Sequence, residues 1–450
     1  MLNTYGGFPA FDIMYDTGGN LLDPAAESEM LANLASSDPK TPASGTTDLF
    51  IISHGWNNNI DEARALYAQF FQSVQSMLRQ YYANKFKNRK IAIMTIFWPS
   101  KRFTEPTEIP GGAAALADPD AALNSVLDGL KTLFPDPQSA AKIDHARNQI
   151  PNLEVSQSAQ NDFVFALKSL LPPPRGPRDE GLDESRAALD DPALNGHQVL
   201  QNLSIPIMPV LPPVGQSAAL GSATSFIGNV ISGIKQAAAN FGNLLTYYTM
   251  KDRAGIIGSG GVKDTVQKIL VGFPSLRVHL VGHSFGGRLV TAAASALPAG
   301  SRGLSSMSLL QAAYSHNGLA QNWNGQGVDG AFRNVVSAPE VHGPVLITHS
   351  LHDMAVGLAY PLASRLMNQA AAALVGGPGD TYGGMGRNGA QHTPEAFNDD
   401  LAPVGAVYQA LPTGQWIRNL NGDGPPPKPT ITSHGDIAKS EIAYAILDAI

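Results

Sequence analysis

Five short runs of β-branched and aliphatic residues, each closed by turn residues, constrain this chain more than any other feature. They are 48–53 (DLFIIS), 91–97 (IAIMTIF), 276–282 (LRVHLVG), 306–313 (SMSLLQAA) and 343–349 (GPVLITH). Near-continuous apolar runs of this length read as strands buried on both faces. Helical patterns lie between them. Residues 60–81 place Leu66, Phe70, Val74 and Met77/Leu78 on one stripe, with Asp61 and Glu62 in the first turn where the helix dipole favours acids. Residues 262–270 and 287–297 are shorter helical candidates. Strands alternating with helices predict an α/β fold whose sheet is mostly parallel and flanked by helices.

The alternation breaks between residues 104 and 225, a stretch rich in Ala, Pro, Asp and Gly. It includes PPPRGPRDEGLDES (172–185) and the Pro-broken IPIMPVLPPVG (205–215), with helical patterns at 121–134 and 157–171. Three parts are therefore expected: 1–103 as the start of the core, 104–225 as a partly helical insertion, and 226–450 as the rest of the core. The insertion is expected to shape access to a cleft. Its apolar residues Ile205, Ile207, Met208, Val210, Leu211, Phe226 and Ile227 would either line an acyl pocket or pack the insertion onto the core. A helical pattern from Phe226 to Met250 leads back.

Composition removes several classes. The chain has no cysteine, which excludes disulfide scaffolds, Cys-ligated metals and a thiol nucleophile. A net charge of −7 argues against a general nucleic-acid binder. No run reaches 18 uninterrupted apolar residues, so no transmembrane segment is expected. The opening MLNTYGGFPAFDIMYD lacks a basic and then apolar leader. The expectation is a cytoplasmic protein, or one exported without a cleavable signal.

The sharpest local signal is Gly282-His283-Ser284-Phe285-Gly286, placed after a predicted strand and opening a predicted helix. With 45 Gly in 450 residues, a serine acquires both flanks by chance about once in a hundred. The strand–turn–helix setting is what makes the pattern specific. A strained turn there lifts a serine hydroxyl clear of the sheet, and the glycines let the backbones approach. A second loop, Ser53-His54-Gly55-Trp56-Asn57-Asn58, follows the first of the five runs. Acyl transfer at a serine needs two main-chain N–H groups aimed at the developing oxyanion. Phe285 offers one, and Trp56, or Asn57 as second choice, offers the other.

Asp353 falls just past the end of the run at 343–349, where the catalytic groups of a parallel sheet collect, although an Asp there would equally serve as a helix cap. Two histidines follow it. His392 lies in a Gly-rich loop, and His434 directly precedes a helical run to Ile450, which favours His434 as a base. His349-x-x-His352-Asp353 lacks the helical i, i+4 presentation of a metal site, and no Lys-Ser/Thr follows Gly258-Ser259-Gly260-Gly261 in phosphate-loop spacing.

Ser284, Asp353 and His434 stand in the order Ser…Asp…His, and in that respect the sequence resembles the α/β-hydrolase superfamily over residues 46–103 and 245–450. The resemblance implies Ser284 as nucleophile, Asp353 as orienting acid and His434 as base, with the Trp56 and Phe285 N–H groups as the oxyanion hole. It implies a serine esterase or lipase-like enzyme acting on a small-molecule or lipid ester, with no metal or organic cofactor. Alternatives are an amidase, thioesterase or acyltransferase with the same triad, or a non-catalytic binding protein on the same fold. Family members usually carry a cap after the sixth strand, whereas this insertion is expected between the fourth and fifth.

Overall fold

The computed structural model describes residues 2–100, 119–172, 189, 194–204, 208–209, 233–301, 303–337, 341–353, 356, 374–375, 377–379, 383–424 and 429–450. Of the insertion's apolar residues named above, Ile205, Ile207, Val210, Leu211, Phe226 and Ile227 lie outside the described set, and Met208 is described by its backbone alone.

Nine strands form one mixed sheet: β1 (Leu2–Tyr5), β2 (Phe8–Met14), β3 (Asp48–Ser53), β4 (Ile91–Phe97), β5 (Arg277–His283), β6 (Ser306–Leu310), β7 (Val345–His349), β8 (Ala396–Asp400) and β9 (Ile417–Asn421). Their order is β1-β2-β4-β3-β5-β6-β7-β9-β8. Every pairing is parallel except the β1–β2 hairpin at the edge. The five sequence-predicted runs make the middle of this sheet, with β3, β4, β6 and β5 buried along all or nearly all of their length. The run at 306–313 is shorter than predicted, because the backbone turns to φ 42° at Gln311.

Two compact units divide the chain. One comprises Met1–Lys101, Lys251–Val356 and Gly384–Ile450, and the other Arg102–Met250 and Gly357–Gly383. The first holds the whole nine-stranded sheet. On one face, α2 (Ile60–Tyr81), the helix that follows α1 (Pro24–Ala35), sets Phe70, Phe71, Val74 and Met77 into a core shared with Phe50, Ile52 and Ile93 of the sheet and Ile442 and Ile446 of the C-terminal helix Ser440–Ala449. The α2 helix starts where Asn59 and Glu62 exchange hydrogen bonds as a capping box. The helix Phe285–Ser295 follows β5 directly and packs on β5 and β3. The second unit is mostly helical in its described parts, with Pro119–Leu133, Pro137–Arg147, Gln157–Lys168 and Gly196–Ser204 burying Leu123, Val126, Ile143, Phe163, Leu167 and Val199. The chain leaves the sheet after β4 and returns to it at β5. Among the described residues, no helix is long and apolar enough to cross a membrane.

At the opposite end of β3 from the loop it feeds, the fully buried Asp48 ties four segments together. Arg277 of β5 grips it with two hydrogen bonds of 2.8 Å. His279 Nε2 reaches it at 3.0 Å, and Arg89 reaches both Asp48 and the carbonyl of Ile450. Burial alone would raise this carboxyl, but the hydrogen bonds from Arg277, His279, Arg89 and Thr47 outweigh it and hold the group well below the usual carboxylate range. Asp48→Ala is therefore expected to cost about 3 kcal/mol at pH 7, the lower end for breaking a buried ion pair, because Arg277 remains half in water. A carboxyl depressed on folding stabilises the fold above its unfolded value, about 4, and loses that contribution as pH falls below it. Urea unfolding of both proteins should show the gap narrowing between pH 5 and pH 2.5.

Candidate active site

Ser284 is the first residue after β5 and the cap of the helix that follows, and its backbone sits at φ 57°, ψ −125°. That conformation is unfavourable for a side chain with a Cβ, and it is held from three directions. Ser284 N–H donates to Leu310 O at 3.1 Å, and Ser284 O accepts from Gly287 N at 2.9 Å and Ala313 N at 3.0 Å. The flanking glycines are sterically required. A Cβ on Gly282 would stand 2.5 Å from Gly286 O, and one on Gly286 would stand 2.3 Å from Ser53 O. The turn thus closes on itself and on the end of β3.

The loop after β3 lies against the serine. A Cβ on Gly55 would stand 2.5 Å from Ser284 Cβ and 3.0 Å from its Oγ. His54 sets this loop. Its ring stacks on Trp98 with centroids 5.6 Å apart, Nδ1–H donates to Gly55 O at 2.9 Å, and its carbonyl accepts from Trp98 Nε1 at 3.1 Å. Burial pushes the His54 ring down to about 4, against the hydrogen bond to Gly55, so at neutral pH it is an uncharged brace. Tyr67 reaches from α2 to accept from His54 N at 2.8 Å. Asn57 N–H is occupied by Ser100 O at 2.9 Å, whereas Trp56 N–H has no hydrogen-bond partner among the described residues. Of the two, Trp56 has the main-chain N–H left to donate. Phe285 is the first residue of the helix after Ser284. The Trp56 and Phe285 rings pack at 6.2 Å.

Asp353 is fully buried and uses both oxygens. Oδ1 accepts from Val356 N, three residues on, at 3.0 Å, and Oδ2 takes His434 Nδ1 at 2.9 Å. One side chain thus holds both a local backbone N–H and the His434 ring. His392, the other candidate base, is engaged elsewhere: its Nδ1 lies 2.9 Å from Asn317 Oδ1. His434 is tied to the serine's neighbour, since His283 Nε2 lies 2.9 Å from His434 O and the two rings pack at 4.8 Å. Among the described residues Ser284 Oγ makes no hydrogen bond to His434. Such contacts in unliganded sites are often long and tighten with substrate.

Two side chains that sequence reading did not single out lie beside the turn that carries Asp353. Asp423, after β9, accepts from Ser350 Oγ at 2.7 Å and Leu351 N at 2.8 Å, which fixes the turn leading to Asp353. Arg387 is fully buried and donates to Leu351 O at 2.5 Å. Burial lowers its pKa, while the nearby carboxylates of Asp353 and Asp423 oppose that shift. Neither belongs to a motif; each is legible only once the strand ends have been brought together. Among the described residues, no group of three or more His, Asp or Glu is placed to hold a metal ion. Comparison with family models, with curated proteins and with solved structures finds no match to this chain.

Proposed function

We propose that the protein is a serine hydrolase that cleaves carboxylic esters through Ser284, His434 and Asp353. One observation carries the reading: a serine held at φ 57° after β5 lies at the same sheet end as a His434–Asp353 pair bonded at 2.9 Å. The carboxylate accepts only, so His434 Nδ1 carries the proton and the lone pair is left on Nε2. That nitrogen takes the Ser284 proton as Oγ attacks the ester carbonyl carbon. The oxygen, now negative, is held by the main-chain N–H groups of Trp56 and Phe285. The tetrahedral intermediate collapses, the alcohol leaves with the proton from His434, and an acyl-serine remains. Water then repeats the sequence, with its proton passing to His434 and back to Ser284 as the acid departs. Asp353 stabilises the imidazolium at each step without taking the proton.

Hydrolysis of 4-nitrophenyl acetate, measured beside an anilide and a thioester, tests the reading and separates esterase from amidase and thioesterase activity. Ser284→Ala is expected to fold and to lose about 10⁶-fold in turnover. His434→Ala should match it, while His392→Ala should stay near wild type. A dead His392→Ala beside an active His434→Ala would reverse the choice of base. Absence of labelling at Ser284 by a fluorophosphonate probe would instead support a non-catalytic binding protein.

Gly55→Ala tests the oxyanion loop. Its methyl cannot occupy the space 2.5 Å from Ser284 Cβ, so the loop must move off the serine. The expected loss is about 10²- to 10³-fold in kcat, the size for removing one oxyanion donor, with the melting temperature reported alongside. Unchanged kcat in Gly55→Ala would place the second donor elsewhere.

A further inference from the structure

His283 is buried and takes no part in the proposed chemistry, yet it touches the base directly. Its Nε2 lies 2.9 Å from the carbonyl oxygen of His434, and its Nδ1 is buried with no hydrogen-bond partner. A carbonyl oxygen only accepts, so the ring must carry its proton on Nε2. Burial, with the neighbouring His434 adding to it, pushes His283 down to about 3, so the ring is neutral at working pH and has this one proton to give.

The bond matters because of how the base loop is attached. Ile431 is tied by its N–H to Gly422 O at 2.9 Å, and Ala438 by its carbonyl to Ser73 Oγ at 2.6 Å. Between these points the loop is braced internally, with Thr432 N and Oγ1 both bonded to Asp436 and Ile437 N bonded to Gly435 O. Among the described residues, only His434 hydrogen-bonds residues 432–437 to distant parts of the chain. It does so twice, from its ring to Asp353 and from its carbonyl to His283.

We infer that His283 is a positioning residue that clamps the main chain of His434 to the residue beside the nucleophile, so that base and serine are set in one piece. The inference rests on the proposed hydrolase reading for its kinetic consequence, but the clamp itself is a feature of the folded protein. Asp353 fixes the tautomer and rotation of the His434 ring; His283 fixes where that ring starts from. A misplacement of about 1 Å at a reacting group costs about 10²-fold, which sets the size of the effect.

The test has a part that needs no variant. Long-range proton–nitrogen correlation spectra of ¹⁵N-histidine-labelled protein should show His283 as the Nε2–H tautomer from pH 5 to 8, with the signal assigned by its loss in His283→Gln. An Nδ1–H tautomer or a protonated ring overturns the clamp. In kinetics, His283→Leu keeps the bulk and removes the donor. It should lower kcat for 4-nitrophenyl acetate about 100-fold with KM within about twofold. His283→Gln, whose side-chain amide can reach the carbonyl, should recover at least tenfold of that loss at a similar melting temperature. A folded His283→Leu with wild-type kcat, or His283→Gln no better than His283→Leu, overturns the positioning role. Fluorophosphonate labelling of the wild-type protein at Ser284 is read separately: its absence removes the hydrolase reading, while the tautomer spectrum still decides the clamp.

Discussion

A serine does not rest at φ 57°, ψ −125° unless its surroundings hold it there, and the arrangement at the carboxyl ends of the strands is built around that one turn. Holding such a conformation costs about 1–3 kcal/mol. The turn is stabilised by neighbours on both sides: β6 supplies the acceptor Leu310 O, the segment after it supplies the donor Ala313 N, and β3 ends against Gly286. These contacts require a parallel sheet with β5 between β3 and β6, which is the order found. The strain is thus a consequence of the topology, and it leaves Ser284 projecting at the sheet end instead of lying along β5.

The groups gathered round that turn are organised by charge economy. His54 and His283 are buried deeply enough to remain neutral down to about 4 and about 3 respectively, so they brace the site without adding charge. His349, at the end of β7, is likewise lowered by burial. The carboxylate that faces His434 is Asp353, and Arg387 lies near enough to offset its charge and that of Asp423. Buried charges without partners are expensive, so a site with several histidines and two carboxylates is stable only if most histidines are silent.

The middle of the sheet was legible in the sequence because β3, β4, β5 and β7 are buried on both faces and therefore apolar almost throughout. The α2 helix was legible to the residue, since its apolar stripe and the acids of its first turn agree. The edges were not. β8 reads AFNDD and β9 reads IRNLN, and neither shows the apolar signature of a strand. Their polar residues are satisfied across the pair: Arg418 bonds Asp399, and Asn419 bonds Asn398 at 2.8 Å and Ala390 O at 3.0 Å. Those partners are set by pairing with β7, which sequence periodicity does not reveal. The serine turn and the loop after β3 were legible because glycine marks the close approaches. The clamp by His283 was not, because a histidine inside G-H-S-F-G gives no sign of which distant carbonyl it meets.

The two carboxylates at this end of the sheet show why position, not residue type, decides the role. Asp353 and Asp423 follow neighbouring strands, β7 and β9, and both have donors close by. Asp423 gives one oxygen to Ser350 Oγ and Leu351 N, both on the turn that carries Asp353. Asp353 gives one oxygen to Val356 N and keeps the other for His434. A carboxylate that already holds a backbone N–H is rotationally fixed before the histidine binds, so its second oxygen meets the imidazole with little further entropy to lose. Asp423 has its own fixed rotamer, aimed at the turn. It therefore supports Asp353 from behind. In this geometry, exchange of the two roles would require both turns to be rebuilt, since each side chain's free oxygen is defined by the backbone donors that hold the other.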